Sequence, residues 1–78
     1  MFVTVVIQDQ EHAPQTRRQL RKLGFSYIRP LQWWAIMLGD DPAQHHNKLR
    51  DLAPLQGITV KSYTTEEYHA IINAKISA

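Results

Sequence analysis

The chain has 78 residues, enough for one small domain over 1–78, and its nine basic and seven acidic residues give a formal net charge of +2. The absence of cysteine excludes disulfides and thiolate metal sites, and it favours a reducing, cytoplasmic location. The apolar runs are far shorter than a membrane-spanning helix requires, so we expect no membrane partner.

The first third of the chain predicts a strand, a helix and a second strand. FVTVVI (2–7) is rich in β-branched residues, which favour strands, and it is largely apolar on both faces. Pro14 suits the first turn of a helix and Gly24 is typical of the position after a helix end, so a helix is predicted between them. FSYIR (25–29) predicts the second strand, and RPLQ (29–32) predicts a hairpin turn.

The segment LQWWAIML (31–38) predicts a third strand with two adjacent tryptophans. Neighbouring side chains of a strand point to opposite faces of the sheet, so these tryptophans should diverge. Both faces of the strand are apolar, and we therefore expect both to be covered. One tryptophan should anchor the core beside the helices, and the other should serve a second interface, under the C-terminal helix or against a second copy of the sheet. The predicted interface residues are Trp33, Trp34, Ile36 and Leu38.

The segment GDDPAQ (39–44) marks the start of a second helix. Asp41 can cap this helix, and Pro42 suits its first position because the missing N–H costs nothing there. The helix is predicted to run to about residue 53. Its predicted inward residues are Leu49, Leu52 and Ala53.

The last third of the chain completes a recognisable order of elements. ITVKSY (58–63) predicts the last strand. TTEEYHAIINAKIS (64–77) predicts a C-terminal helix that opens with Thr64 and Glu67 at the spacing of a capping box. The order β-α-β-β-α-β predicts a ferredoxin-like α+β sandwich with an antiparallel sheet and an added C-terminal helix. In that arrangement the first and third strands are central, which agrees with their two apolar faces.

Four segments carry a resemblance to a known family: FVTVVIQD, RRQLRKLGF, LQWWAIMLGDDPAQHHNKLRDL and GITVKSYT. They resemble, in turn, the opening strand, the basic first helix, the outward strand with its capped second helix, and the fourth strand of the small CRISPR-associated integration-complex endonucleases. The resemblance covers residues 1 to about 64. The chain departs from that family where a helix replaces the strand usually exchanged between partners.

The resemblance implies a ferredoxin-like unit that pairs as a homodimer. It also implies that aspartates at the end of the first strand lie near the dimer axis and hold a divalent metal such as Mg²⁺. Asp9 is the residue to which this role carries over. Some members of the family are nucleases and others act as DNA-binding adaptors.

Asp9, Glu11 and His12 form a compact polar group after the first strand. Carboxylates of this kind can hold a hard cation, but polar residues ahead of a helix are more typical of a loop without one, because exposed acidic residues are the norm. No serine has the glycine context of a nucleophile elbow, and His45 and His46 lack the i, i+4 spacing of metal-binding pairs. We therefore predict no catalytic residue, no required cofactor and a non-enzymatic protein.

Basic residues are concentrated near the first helix. No acid occurs from residue 12 to residue 39, a stretch that holds five of the nine basic residues. A basic helix face suits phosphate contacts with nucleic acid, or contact with an acidic protein, and an ordinary solvated face is the alternative. The predicted binding residues are Arg17, Arg18, Arg21, Lys22 and Arg29.

The sequence thus predicts a small homodimeric binding domain that engages nucleic acid, or a nucleic-acid-handling complex, through its basic first helix. Two alternatives stay open. One is a phage or mobile-element inhibitor or adaptor that docks on a host protein. The other is a metal-dependent nuclease that uses Asp9.

Overall fold

A computed structural model describes residues 1–77, and all seven predicted elements occur in the predicted order. The strands are β1 (Phe2–Ile7), β2 (Ser26–Ile28), β3 (Trp33–Met37) and β4 (Ile58–Tyr63). The helices are α1 (Ala13–Lys22), α2 (Pro42–Leu52) and α3 (Thr65–Ser77). Ala78 lies outside the described residues. Within residues 1–77, no helix is long and apolar enough to cross a membrane.

The four strands form one antiparallel sheet in the order β2-β3-β1-β4. The prediction that β1 and β3 are central is confirmed, and the chain is an α+β protein with three helices. Val5 pairs with Trp34 on one side and with Val60 on the other, so these three side chains share a face. Thr4 and Ala35 pair with each other and lie on the opposite face.

The core lies between this first face and the helices α1 and α2. Trp34 is only 4% exposed, and it is the tryptophan that the strand pattern predicted in the helix-side core. Ile36 and Leu38 follow it on the same face and pack against the core. The buried core residues are Val3, Val5, Leu20, Phe25, Trp34 and Leu52.

The helix ends follow the predicted chemistry. The Asp41 side chain accepts a hydrogen bond from the Ala43 N–H at 2.9 Å, which caps α2. Thr64 and Glu67 form a reciprocal capping box, with N–H to side-chain oxygen distances of 3.0 and 3.1 Å. Gly24 ends α1 in the left-handed region, with φ at 94°, where a side chain is disfavoured.

The predicted inward face of α2 is wrong at two positions. Leu49 is 37% exposed and Ala53 is also exposed, whereas Leu52 is buried as predicted. The helix instead turns Lys48 inward, where its ammonium donates to the carbonyl oxygen of Leu23 at 2.9 Å. A positive charge is favourable at the carboxyl end of α1, so this contact joins the two helices.

The other face of the sheet, the outer face, is covered at one end by α3. Tyr68 of α3 is buried and stacks on Phe2, with ring centroids 3.9 Å apart. Trp33 lies on this face and stacks on Tyr63 at 5.7 Å, with the rings within 4° of parallel. Because β3 and β4 flank β1, the Trp33–Tyr63 pair crosses over the central strand. Met37, on the same face, is 69% exposed.

Candidate functional site

All four basic residues predicted on α1 point to solvent. The helical repeat places Arg17 beside Arg21 and Arg18 beside Lys22, which divides them into two adjacent pairs. In the part of the chain that the structure describes, none of the four lies within ion-pair distance of a carboxylate; the contact of that kind is between His12 and Asp9. Their charges are therefore free to meet an anionic partner.

Arg17 and Arg21 line a groove of about 600 Å³ between α1 and the β2–β3 hairpin. Tyr27 and Trp34, which are a cross-strand pair, contribute two aromatic side chains to it. The Arg21 guanidinium carbon lies 5.5 Å from the centroid of the Trp34 ring, which is the geometry of a cation–π contact. Arg29, also predicted as a binding residue, is exposed in the hairpin turn and is not among the groove's lining residues.

Arg18 lies on the opposite flank of α1. There it lines a second cleft, of about 430 Å³, together with Asp9, His12 and the connection between α2 and β4 (54–56). The two adjacent pairs of basic residues thus face different surroundings. The groove beside Arg17 and Arg21 contains no carboxylate among its lining residues, whereas the cleft beside Arg18 contains Asp9.

Asp9, Glu11 and His12 do come together, with possible metal-ligating atoms within 4.8 Å of one another. The Asp9 carboxylate already has donors from this group. It accepts from the Glu11 N–H at 3.1 Å and from the His12 N–H at 3.4 Å, and its other oxygen lies 2.7 Å from His12 Nδ1. The His12 side chain, aided by these backbone N–H groups, holds the pKa of Asp9 below its ordinary value.

Gly57 holds the backbone of Asp9 at the end of β1. Its carbonyl oxygen accepts from the N–H groups of Gln8 and Asp9 at 2.7 and 3.0 Å. A Cβ atom on Gly57 would lie 2.3 Å from the Asp9 Cβ, and its φ of 70° disfavours any side chain. The start of β4 therefore holds the end of β1 and orients Asp9 ahead of α1.

The other adjacent acids, Asp40 and Asp41, lie far from Asp9. They follow β3, which is antiparallel to β1, so they lie at the end of the sheet where β1 begins. Phe2 pairs with Met37 at that end. A single chain therefore does not combine these carboxylates with Asp9, as the antiparallel order predicts.

A contact that the sequence did not predict joins α2 to β4. His45 Nε2 lies 2.8 Å from the Ser62 hydroxyl oxygen. A serine beside a histidine can be a nucleophile and its base, but such a pair also needs a group that orients the histidine. Among the hydrogen bonds of residues 1–77, none joins His45 to a carboxylate. The pair therefore serves to seat α2 on the sheet.

The four predicted interface residues separate between the two faces of the sheet. Trp34, Ile36 and Leu38 belong to the helix-side core or pack against it. Trp33 is half-buried on the outer face. Of the four predicted interface residues, Trp33 is therefore the one that a second molecule could contact on the outer face.

The groove between α1 and the hairpin was not predicted, although its parts were. Helix and strand periodicity indicate the face on which each side chain lies. The groove also depends on the distance between α1 and the edge strand β2, which the sequence does not give. Alignment of Tyr27 with Trp34 across the hairpin was the available signal. Comparison with family models, curated proteins and solved structures gives no match for this chain.

Proposed function

We propose that the chain is a small, non-enzymatic binding domain that engages nucleic acid through the basic side of α1. The observation that carries the proposal is the set of exposed, unpaired basic residues on one helix. Such a surface suits the phosphate groups of a nucleic acid best. When basic side chains contact several phosphates, the counterions condensed on the nucleic acid are released, and this release favours binding. Within residues 1–77, none of these four basic residues lies within ion-pair distance of a carboxylate, and four such charges on one short helix exceed what solubility requires.

We further propose that the fold is ferredoxin-like, that the chain pairs as a homodimer and that it acts in the cytoplasm. The sheet order β2-β3-β1-β4 with two helices on one face supports the fold assignment. The outer face supports pairing, because Met37 is 69% exposed there and the Trp33–Tyr63 stack lies on the same face. The absence of cysteine supports a reducing compartment.

Charge reversal on the outward side of α1 tests the binding proposal. In the variant Arg18→Glu with Lys22→Glu, we expect weaker binding to DNA or RNA of any sequence. The slope of log affinity against log salt should flatten by about 1–2, since each lost phosphate contact removes somewhat less than one unit. The measurement is fluorescence anisotropy of a labelled oligonucleotide over a series of salt concentrations.

The matched control is Arg50→Glu with Lys75→Glu, which gives the same net charge but alters exposed residues of α2 and α3. The control variant should keep most of the affinity and the salt slope. Equal losses in both variants would mean that net charge alone drives binding. Unchanged binding in the α1 variant would contradict the proposed surface.

The protein-directed alternative is an adaptor or inhibitor that docks on another protein. It is supported by exposed apolar side chains away from α1, of which Ile76 is 64% exposed. An apolar docking surface predicts affinity that changes little with salt, whereas phosphate binding predicts a steep loss. The nuclease alternative requires Asp9 to exchange its present donors for a divalent cation.

A further inference from the structure

The groove between α1 and the β2–β3 hairpin has two chemically different walls. Arg17 and Arg21, one helical turn apart, supply positive charge from α1. Tyr27 and Trp34 supply aromatic surface from the sheet, with centroids 5.3 Å apart and rings inclined at 55°. An anion alone would use the first wall, so the second wall indicates a ligand with an additional flat, apolar part.

Tyr27 is the ring that a ligand can reach. It is 48% exposed on the edge strand β2, whereas Trp34 is buried beneath Arg21. Contact of an aromatic ring with water is less favourable in free energy than contact of a polar side chain with water. A planar ring stacked on it would cover that surface while staying close to the two guanidinium groups.

The ends of the groove add polar side chains that suit the edges of a base. Gln10 donates through Nε2 to the Ile7 carbonyl at 3.1 Å, which leaves its amide oxygen available. Gln32 lines the groove from the hairpin. Its backbone φ of 57° lies in the left-handed region, which is uncommon for a residue other than glycine. Carboxamides both donate and accept, as base edges require.

We infer that this groove binds one nucleotide unit of a single-stranded nucleic acid, with the base stacked on Tyr27 and the phosphate held by Arg17 and Arg21. The inference rests on the proposed function and specifies its substrate. A duplex keeps its base faces inside the helix, so it cannot present one to the groove. The acidic side chains of a peptide would satisfy the arginines but supply no planar ring to stack on Tyr27.

The test compares Tyr27→Ala with Tyr27→Phe, which keeps the ring. The probes are a labelled single-stranded oligothymidylate and a DNA duplex of the same length, titrated at the same salt concentration. We expect Tyr27→Ala to weaken single-strand binding by roughly 5- to 150-fold, the range for loss of one stacked base. Tyr27→Phe should bind like the wild type, and duplex binding should be equal in all three proteins.

The outcomes separate the two proposals. Wild-type binding to the single strand that Tyr27→Ala leaves unchanged would overturn the groove assignment while leaving phosphate binding by α1 intact. Equal weakening of duplex and single strand would also overturn it, because stacking does not act on a duplex. Absence of wild-type binding to either probe at low salt would overturn the proposed function itself. Circular dichroism tests whether each variant is folded. If the alanine variant is unfolded, Tyr27→Phe still keeps the aromatic ring that packs on Trp34.

Discussion

At the scale of single residues, Asp9 is the group whose surroundings are best defined. Its carboxylate accepts from two backbone N–H groups and lies 2.7 Å from the His12 ring, and Gly57 holds it in place. These hydrogen bonds favour the charged form and lower the pKa of Asp9 in the folded chain. Asp9 therefore links folding to pH.

We expect the Asp9 contribution to stability to be present above the ordinary pKa of an aspartate and to be lost as the pH falls through its lowered folded value. Asp9→Asn should therefore be less stable than the wild type near neutral pH, and the difference should shrink in acid. Urea unfolding over a pH series measures this. Asp40→Asn controls for the loss of one negative charge from an exposed position.

The same variant tests the metal alternative. If Asp9 held a divalent cation, Mg²⁺ or Mn²⁺ would raise the melting temperature of the wild type and not that of Asp9→Asn. A rise in both proteins, or in neither, would leave Asp9 as a loop residue ahead of α1. A pH dependence that is identical in the wild type and in Asp9→Asn would contradict the lowered pKa.

At the scale of elements, β3 places two adjacent tryptophans in different surroundings. Trp34 is 4% exposed between the sheet and α1, whereas Trp33 stacks on Tyr63 across the outer face. Both tryptophans are aromatic and adjacent, yet only Trp34 belongs to the core that joins the helices to the sheet. Their contributions to stability should therefore differ.

Trp34→Ala should cost about 3–5 kcal/mol of unfolding free energy, the range for truncating a large buried aromatic residue. That loss approaches the total stability of about 5–15 kcal/mol typical of a domain, so the variant should be largely unfolded. Trp33→Ala should stay folded, and if the outer face pairs two chains it should become monomeric. Circular dichroism with size-exclusion chromatography measures both. Equal stability of the two variants would contradict the different roles of the two faces.

At the scale of the whole molecule, the basic residues of α1 and the two most exposed large apolar side chains occupy different sides. The basic residues of α1 lie on the helix side of the sheet, whereas Met37, at 69% exposed, lies on the outer face and Ile76, at 64%, lies on α3. A partner bound at α1 and a partner bound at the outer face would therefore not compete for the same surface. Under the proposed function, this separation would let one chain hold an anionic ligand at α1 while it is paired with a second copy through the outer face.

The sequence predicted local structure well because its signals are local. Strand alternation assigned Trp33 and Trp34 to different faces, and the spacing of Thr64 and Glu67 marked the start of α3. The inward face of α2 was mispredicted because it depends on Lys48 reaching a carbonyl of α1. That contact exists only after the helices pack. The groove was missed for the same reason.

The most direct measurement of the proposed function is the salt dependence of wild-type binding to a single-stranded oligonucleotide. Contacts from the four basic residues of α1 predict that log affinity falls linearly with log salt, with a slope of roughly −3. The slope should be the same for unrelated sequences, since phosphates carry no sequence information. A slope near zero, or no binding at low salt, would contradict nucleic-acid binding by α1.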